Sequence, residues 1–323
     1  MKSASWIAAT RRARRVDTSV RLGPLTLKSP IIAASGTFGQ GAEVMGITDA
    51  SKIGAVTVKS LSAEPWAGNP PVRVHPVTAG MLNAVGLQNP GVSAWVSQAL
   101  PRIPDDVTVI ASLWGRTVDQ YAKAARLLLA AVPRIAAVEV NVSCPNLEEA
   151  NEMFAHSATA THAVISAVAT ELEGSGLPIF AKLSPNTWEV PSIAQAACNA
   201  GATGLTLVNT VMGLEIDIES GTAALGRGAG GLSGPAIKPI AVRIVAEVHR
   251  TLPDVPIIGT GGVASGLGAV EMLMAGASAV GVGTASFVDP GATVRISREV
   301  ARWCGAHGVS RVSSLTGTYK APS

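Results

Sequence analysis

A cysteine framed by two asparagines is the part of this sequence best suited to chemistry. Cys144 stands in the hexapeptide 141–146, Asn-Val-Ser-Cys-Pro-Asn, directly after the apolar run 135–140. A free thiol, with a pKa of about 8.5, can accept a proton at neutral pH when its surroundings activate it modestly. Asparagine amides can hydrogen-bond to a flat polar ligand. The hexapeptide therefore predicts proton transfer beside a bound planar ligand. Cys198 and Cys304 lack such neighbours and are interpreted as small buried hydrophobic residues.

The elements that must position this hexapeptide form a repeating pattern of short apolar strands and alanine- and leucine-rich helices. Strands are predicted at 30–35, 55–60, 108–113, 137–142, 178–183, 204–209, 256–259 and 279–283, and helices at 118–132, 158–172, 192–200, 236–251 and 266–275. Strands that are apolar throughout are typical of parallel sheets covered on both faces. Eight strand–helix units predict an α/β fold, the (β/α)8 TIM barrel. A doubly wound sheet is the alternative, which the missing GxGxxG after the first strand disfavours.

Three segments depart from the repeat. A short hairpin is predicted at 16–28, and residues 1–15, with four arginines, are predicted to be a disordered N-terminal extension to a single domain, 16–323. Insertions at 62–91 and 212–234 follow strands two and six. Because they leave the carboxyl ends of strands, both should lie at the C-terminal face, where such barrels hold their active sites. Five prolines make the first insertion extended or hairpin-like rather than helical.

Composition excludes several classes of function. A net charge of +3 is too small to indicate nucleic-acid binding, and charged residues make up only 15% of the chain. Three separated cysteines fit a reducing compartment and are too few for an iron–sulfur cluster, which needs about four. No metal site is predicted. No apolar run reaches the roughly 18 residues of a spanning helix, so a cytoplasmic protein without membrane contact is expected.

Lysines and amides follow several of the strands. Lys59-Ser60 ends strand two, Lys182 ends strand five, and Asn209-Thr210 ends strand six. Lys182 has three interpretations that spacing alone does not separate: a Schiff-base lysine, an ion pair at the edge of the core, or a cation that stabilises negative charge on a flavin.

Glycine-rich turns end the last two strands. The sequences are Gly-Thr-Gly-Gly at 259–262 and Gly-Val-Gly-Thr at 281–284, and Ser265-Gly266 then opens a helix. Bare main-chain N–H groups beside a helix N-terminus bind phosphate at this place in barrels. The glycines could instead serve tight turns alone, but two such turns together favour a phosphate site.

Taken together, these motifs resemble those of the dihydroorotate dehydrogenases. The resemblance rests on 141–146, 83–89 (Asn-Ala-Val-Gly-Leu-Gln-Asn), 181–185, 209–210, 231–239 and 258–262, and it extends from about residue 20 beyond 283. A cysteine rather than a serine at the base position is similar to the soluble class 1 enzymes. The stretch Gly-Gly-Leu-Ser-Gly-Pro-Ala-Ile-Lys-Pro is most similar to class 1B, the NAD-linked catalytic subunit.

The resemblance implies an FMN enzyme that oxidises dihydroorotate to orotate in de novo pyrimidine (UMP) biosynthesis. It assigns catalytic roles to Cys144, the base that removes the C5 proton while hydride leaves C6, and to Lys59. The implied substrate contacts are Lys59, Asn83, Ala84, Val85, Gly86, Leu87, Asn141, Asn146, Asn209 and Thr210. The implied FMN contacts are Ser35, Lys59, Ser60, Ser112, Asn141, Lys182, Val208, Gly234, Gly261, Gly262, Gly283 and Thr284.

Two features depart from the family pattern. Ser112 stands where the family often has an asparagine that touches the flavin. The loop 147–156, expected to form a lid over the substrate, lacks the glycines common there, so a stiffer or differently shaped lid is expected.

Class 1B enzymes pair with a second subunit, and the resemblance implies the same here. That subunit carries FAD and a [2Fe–2S] cluster and passes electrons to NAD, and the implied assembly is a homodimer that becomes a heterotetramer with it. Two alternatives stay open: an FMN enzyme acting on another pyrimidine such as dihydrouracil, and a barrel lyase using Lys182 as a Schiff base.

Overall fold

The computed structural model describes residues 13, 15–143 and 153–321. Cys144, Asn146, most of the loop 147–156 and nearly all of the predicted N-terminal extension lie outside the described residues.

The described chain alternates strands and helices over most of its length. The strands are β1 (Val20–Leu22), β2 (Leu25–Leu27), β3 (Ile31–Ala33), β4 (Ala55–Thr57), β5 (Val74–Val77), β6 (Gly80–Asn83), β7 (Val109–Leu113), β8 (Ala137–Asn141), β9 (Ile179–Leu183), β10 (Gly204–Leu207), β11 (Val211–Gly213), β12 (Ile216–Asp217), β13 (Thr222–Ala223), β14 (Gly230–Ser233), β15 (Ile257–Thr260) and β16 (Ala279–Val282). The α-helices are α1 (Val92–Ala94), α2 (Val118–Leu128), α3 (Ala158–Glu171), α4 (Val190–Asn199), α5 (Lys238–Thr251), α6 (Gly266–Ala275), α7 (Ala285–Val288) and α8 (Ala292–Ala306).

Eight parallel strands of the described chain close into a barrel, which confirms the predicted TIM-barrel fold. Their order is β3, β4, β7, β8, β9, β10, β15 and β16, with β16 pairing back to β3. Strands β3 and β16 are buried at every position. The cause is the covering of both faces, by helices outside and by packed side chains inside, so apolar residues occupy successive positions.

Polar side chains fix where the outer helices begin. Thr117, Ser157 and Ser265 accept hydrogen bonds from main-chain N–H groups in the first turns of α2, α3 and α6 respectively. Each of these caps satisfies a donor that the helix itself leaves unpaired. The caps fix where each helix leaves the preceding loop.

The N-terminal hairpin forms as predicted. Strands β1 and β2 pair in antiparallel register, Val20 with Leu27 and Leu22 with Leu25, around a turn at Gly23. Gly23 packs against Thr203 and Pro256, which directly precede β10 and β15. The hairpin therefore lies at the amino-terminal end of the barrel, away from the strand ends that carry the polar motifs.

The two insertions meet in one antiparallel sheet. Strands β5 and β6 come from the first insertion, β11 and β14 from the second, and the order is β11, β14, β6, β5. Asn83 of β6 pairs in register with Gly231 of β14. The first insertion is thus a hairpin as expected, and the joint sheet forms a wall at the C-terminal face of the barrel.

Across the described residues, none of the helices combines the length and the apolar character needed to cross a membrane.

Candidate active site

A cavity of ≈ 270 Å³ opens at the carboxyl ends of the barrel strands. This volume is near the lower end of the range of about 300–1,000 Å³ that ligand pockets show. The predicted site residues that line it are Ser35, Lys59, Ser60, Asn83, Val85, Gly86, Leu87, Asn141, Lys182, Val208, Asn209, Thr210, Gly234, Gly261, Gly262, Gly283 and Thr284. Two predicted residues of the described chain, Ala84 and Ser112, are not among the residues that line it.

One end of the cavity is built from main chain rather than side chains. Residues 260–264 and 283–285 line it, together with Gly234 and Pro235 from the loop after β14. A Cβ at Gly262 would lie 2.7 Å from the main-chain nitrogen of Lys238 and 2.8 Å from the carbonyl oxygen of Gly234, at a φ of +74°. Only glycine fits there. The bare backbone beside the N-terminus of α6 has the chemistry of a phosphate cradle.

A row of amides occupies the centre of the cavity. Asn209 Nδ2 donates to Asn141 Oδ1 at 3.2 Å, and Asn141 Nδ2 donates to Ser60 Oγ at 3.4 Å. The carbonyl of Asn141 accepts a hydrogen bond of 2.7 Å from the hydroxyl of Tyr121 on α2. Across the cavity, Asn83 Nδ2 donates to the carbonyl of Gly231 at 3.0 Å. These bonds orient the amide planes before any ligand binds.

The only buried ion pair in the described chain lies just below these amides. Lys182 Nζ is 3.7 Å from Glu139 Oε1, and the side chains are 8% and 3% exposed. Ser112 Oγ donates to the same carboxylate oxygen at 3.2 Å and lies 2.9 Å from Ser60 Oγ. The hydroxyl of Ser112 is therefore engaged beneath the cavity rather than presented to it.

The loop 84–88 is held from behind by the segment that precedes β5. The Asn69 side chain donates to the carbonyl of Ala84 at 2.9 Å, and the Asn69 main-chain N–H donates to Val85 at 3.1 Å. The Trp66 indole N–H donates to the carbonyl of Gly86 at 3.0 Å. With its carbonyls bound on that side, the loop presents Val85, Gly86 and Leu87 to the cavity. These three residues form one wall of the cavity, and their contact with a substrate stays a prediction.

A surface network connects the start of α6 with Asp289, which follows α7. Arg295 on α8 donates to Asp289 at 2.9 Å and to Glu299 at 3.0 Å. Glu299 in turn accepts a bond of 2.6 Å from the main-chain N–H of Gly266. Hydrogen bonds from the guanidinium hold the pKa of Asp289 below its ordinary value. The network fixes the loop after β15 relative to the segment after β16.

Two cysteines of the described chain match their structural interpretation. Cys304 is buried and Cys198 is half-buried, and both pack in or against the core. Burial raises the pKa of both thiols, which disfavours the reactive thiolate. Cys144 and Asn146 lie outside the described residues, so their roles stay predictions.

Sequence reasoning missed four residues that support the site. Glu139 stood inside an apolar run and was read as part of a buried strand, although a carboxylate at such a position needs a partner and thereby points to Lys182. Trp66 and Asn69 lay in the proline-rich insertion without a motif, and Arg295 lay on a helix that was not marked. For Trp66, Asn69 and Arg295 no local signal existed.

The fold and this cavity define a TIM-barrel enzyme with its site at the C-terminal face. Residues 18–303 match the family model described as dihydroorotate dehydrogenase. The chain belongs to the dihydroorotate dehydrogenase family.

Relatives at 42–44% identity cover nearly the whole chain. The catalytic subunit of dihydroorotate dehydrogenase B (NAD+) from Desulforudis audaxviator is 44% identical over 304 residues, covering 94% of this chain and 97% of that one. The subunit of the same name from Geobacter sulfurreducens is 42% identical over 94% of this chain and 98% of its own. The crystal structure of a DHODH from Eimeria tenella in complex with ferulenol superposes with a TM-score of 0.78 at 23% identity, over 94% of this chain and 88% of that one, which shows the fold.

The family implies a flavin cofactor, and the cavity fits a flavin that carries a phosphate. The glycine cradle supplies main-chain donors for a phosphate. Lys182 supplies a cation beside the amide row, where a planar ring can be held.

Proposed function

We propose that this chain is the catalytic subunit of an NAD-linked dihydroorotate dehydrogenase. It oxidises dihydroorotate to orotate in the synthesis of UMP. The observation that carries the proposal is one continuous cavity joining the amide row, Lys59 and Lys182 to a glycine cradle. Amides and a lysine suit a planar, carboxylate-bearing pyrimidine, and the cradle suits the phosphate of FMN. The identity to catalytic subunits of that name supports the assignment.

FMN is the proposed cofactor of this chain. Gly234, Gly261, Gly262, Gly283 and Thr284 would hold its phosphate, and Ser35, Lys59, Ser60, Lys182 and Val208 would border its ring. Ser112 supports the ring through Ser60 rather than by contact, because its hydroxyl already bonds Ser60 and Glu139. When bound, FMN supplies the hydride acceptor that no amino-acid side chain can provide.

The side chains remove the proton and bind the substrate. Cys144 removes the proton from C5 of dihydroorotate while the C6 hydrogen departs as hydride, and the C5–C6 double bond forms. Lys59 pairs with the substrate carboxylate. The amides bind the ring, namely Asn83, Asn141, Asn146 and Asn209, together with Thr210. The hydrogen bonds of Asn141 to Asn209 and Ser60 hold its amide ready, which lowers the cost of ordering it in the complex.

The proposed assembly is a homodimer that binds two copies of an electron-transfer subunit. That subunit carries FAD and a [2Fe–2S] cluster, which this chain with three cysteines does not supply. Co-purification with an iron- and FAD-containing protein, and NAD reduction that depends on it, are the expected results. NAD reduction by the isolated chain would contradict this division of labour.

Anaerobic titration of the FMN-loaded protein tests the reaction itself. Dihydroorotate is expected to bleach the flavin absorbance, whereas dihydrouracil, which lacks the carboxylate, is not. A protein that cannot take up FMN would contradict the proposal. Bleaching by dihydrouracil alone would indicate the other pyrimidine chemistry, and borohydride trapping of a substrate on Lys182 would indicate the lyase.

Substitution of Cys144 tests the base. Cys144→Ala is expected to retain FMN and to lose most dihydroorotate oxidation, on the order of a hundredfold or more for a general base. Cys198→Ala is the matched control, since that thiol packs on α4 against the core. Turnover of Cys144→Ala equal to that of Cys198→Ala would refute the assignment.

A further inference from the structure

A carboxylate beneath Lys182 is not used by any step of the proposed reaction. Glu139 lies on β8 two residues before Asn141, so both side chains face the barrel interior. Its side chain is 3% exposed. A buried charge is costly unless it is paired and hydrogen-bonded, so its presence needs a reason.

The carboxylate has two partners, a cation and a hydroxyl, at the same oxygen. Lys182 Nζ lies 3.7 Å from Glu139 Oε1, and Ser112 Oγ donates to that oxygen at 3.2 Å. Among the described residues, Glu139 carries the one carboxylate within ion-pair distance of Lys182. The separation is longer than a direct hydrogen bond, so Lys182 keeps its donors for the cavity that it lines.

The same carboxylate is connected to the amide row. Ser112 lies 2.9 Å from Ser60, Asn141 donates to Ser60 at 3.4 Å, and Asn209 donates to Asn141 at 3.2 Å. A hydrogen-bonded path therefore runs from Glu139 to the centre of the cavity. A substitution of Glu139 therefore alters the surroundings of both Lys182 and Asn141, although Glu139 itself would not contact the ligands.

We infer that Glu139 is a positioning residue that offsets the charge of Lys182 and so sets the reduction potential of the bound flavin. The inference rests on the proposed function, because it requires FMN in this cavity. A cation beside the flavin favours the reduced, negatively charged ring and raises the potential. The carboxylate behind Lys182 cancels part of that field and holds the potential lower, which favours onward transfer of the electrons.

The experiment measures the two-electron potential of the FMN-loaded protein during reduction by dithionite, with a reference dye. Glu139→Gln removes the charge at nearly constant shape and is expected to raise the potential. We expect at least a tenfold change in the two-electron equilibrium constant, which is about 30 mV. Lys182→Met is expected to lower the potential. Glu171→Gln is the matched control, since that carboxylate pairs with Arg126 between α2 and α3, and it should leave the potential unchanged.

The double variant Glu139→Gln/Lys182→Met tests whether Glu139 and Lys182 act on the ring with opposite sign. Its potential should lie between those of Lys182→Met and Glu139→Gln, because each substitution removes one of two opposing charges. Removal of both partners of a buried ion pair is also tolerated better than removal of one, so this variant should fold. Glu139→Asp keeps the charge but moves it away from Lys182, so it should raise the potential by a smaller amount. It replaces Glu139→Gln in the experiment if that variant does not fold.

A potential in Glu139→Gln or Glu139→Asp that is unchanged or lower than in the wild-type protein would overturn the inference. So would a double variant whose potential is no higher than that of Lys182→Met. Reduction by dithionite does not use dihydroorotate, so these results are independent of the substrate. If the wild-type protein binds no FMN, or is not bleached by dihydroorotate, the proposed function fails instead.

Discussion

Gly86 illustrates how single positions at the cavity depend on glycine. Its φ is +71°, and a Cβ there would lie 2.5 Å from the side chain of Asn69, the residue that holds the loop from behind. Leu87 follows at a φ of +62°, an uncommon conformation for a branched residue. Such strain at the lining of a cavity is typical of a binding loop. The loop is therefore expected to be sensitive to any side chain at position 86.

Gly86→Ala should raise the KM for dihydroorotate, because the new methyl group displaces the loop from Asn69. We expect roughly a tenfold increase, equivalent to about 1.4 kcal/mol, with little change in FMN content. Steady-state kinetics and flavin absorbance measure the two effects.

Gly221→Ala is the matched control for the backbone effect. Gly221 has a φ of +68° but no atom within 4 Å of the added Cβ. Both variants bear the conformational cost of alanine at positive φ, about 1–2 kcal/mol. An equal rise in KM for both would show that contact with Asn69 is not the cause.

Among the secondary-structure elements, α8 supports the phosphate cradle from outside the barrel. Arg295→Gln removes the ion pairs to Asp289 and Glu299 that connect the loops after β15 and β16. FMN affinity should fall about fivefold to tenfold, roughly 1–1.4 kcal/mol, because the cradle must be ordered at the time of binding. Titration of the apoprotein with FMN measures this.

Arg243→Gln provides the comparison for Arg295→Gln. Arg243 forms a single i,i+4 pair with Glu247 on α5 and is similarly exposed, at 42% against 40% for Arg295. Its loss should leave FMN affinity unchanged. A similar loss of affinity in both variants would refute a specific role for Arg295.

The same network predicts a dependence of stability on pH. Hydrogen bonding to Arg295 lowers the pKa of Asp289 in the folded protein. The contribution of this pair is therefore complete above the ordinary aspartate pKa of 3.8 and is lost as the pH falls through the lower folded value. Asp289→Asn should lower the melting temperature by a constant amount from pH 5 to 8, about 1–3 °C for an exposed pair. A difference that persists unchanged well below pH 3.8 would contradict this.

The barrel could be predicted from the sequence because its physical signal is local. Strands such as β3 and β16 are buried at every position, so their residues are apolar in succession and are recognisable without knowledge of the neighbouring strands. The cradle was predictable for a similar reason, since Gly261 and Gly262 follow one strand directly. Most of the cavity residues were placed by the motif resemblance, and the structure brings them together.

Long-range pairing could not be predicted in the same way. Nothing near Asn83 indicates that its strand pairs with Gly231, and Glu139 indicates a buried partner without fixing the distance of 3.7 Å to Lys182. Those contacts depend on register between segments far apart in the chain, for which one sequence carries no signal. The support of the cradle by Arg295 is of the same kind.

For the molecule as a whole, the cofactor should act as a structural ligand. The cavity connects the ends of many barrel strands with the sheet formed by the insertions, so a ligand that fills it binds only the folded state. At a hundredfold excess over its Kd, FMN would add about 2.7 kcal/mol to the free energy of unfolding. Removal of FMN should therefore lower the melting temperature by about 5 °C. An apoprotein that melts at the same temperature as the FMN-loaded protein would contradict this.

The sheet shared by the two insertions has a consequence for how the protein is made. Asn83 and Gly231 are separated by 148 residues, so β6 cannot pair with β14 until more than half of the barrel has been synthesised. Contacts of such high sequence separation form late and slowly, because a long loop must close first. The nascent chain should thus contain six of its eight barrel strands before it acquires a place for either ligand. Binding of FMN should therefore indicate that this late stage of folding is complete. A ribosome-bound chain truncated before β14 should not retain FMN.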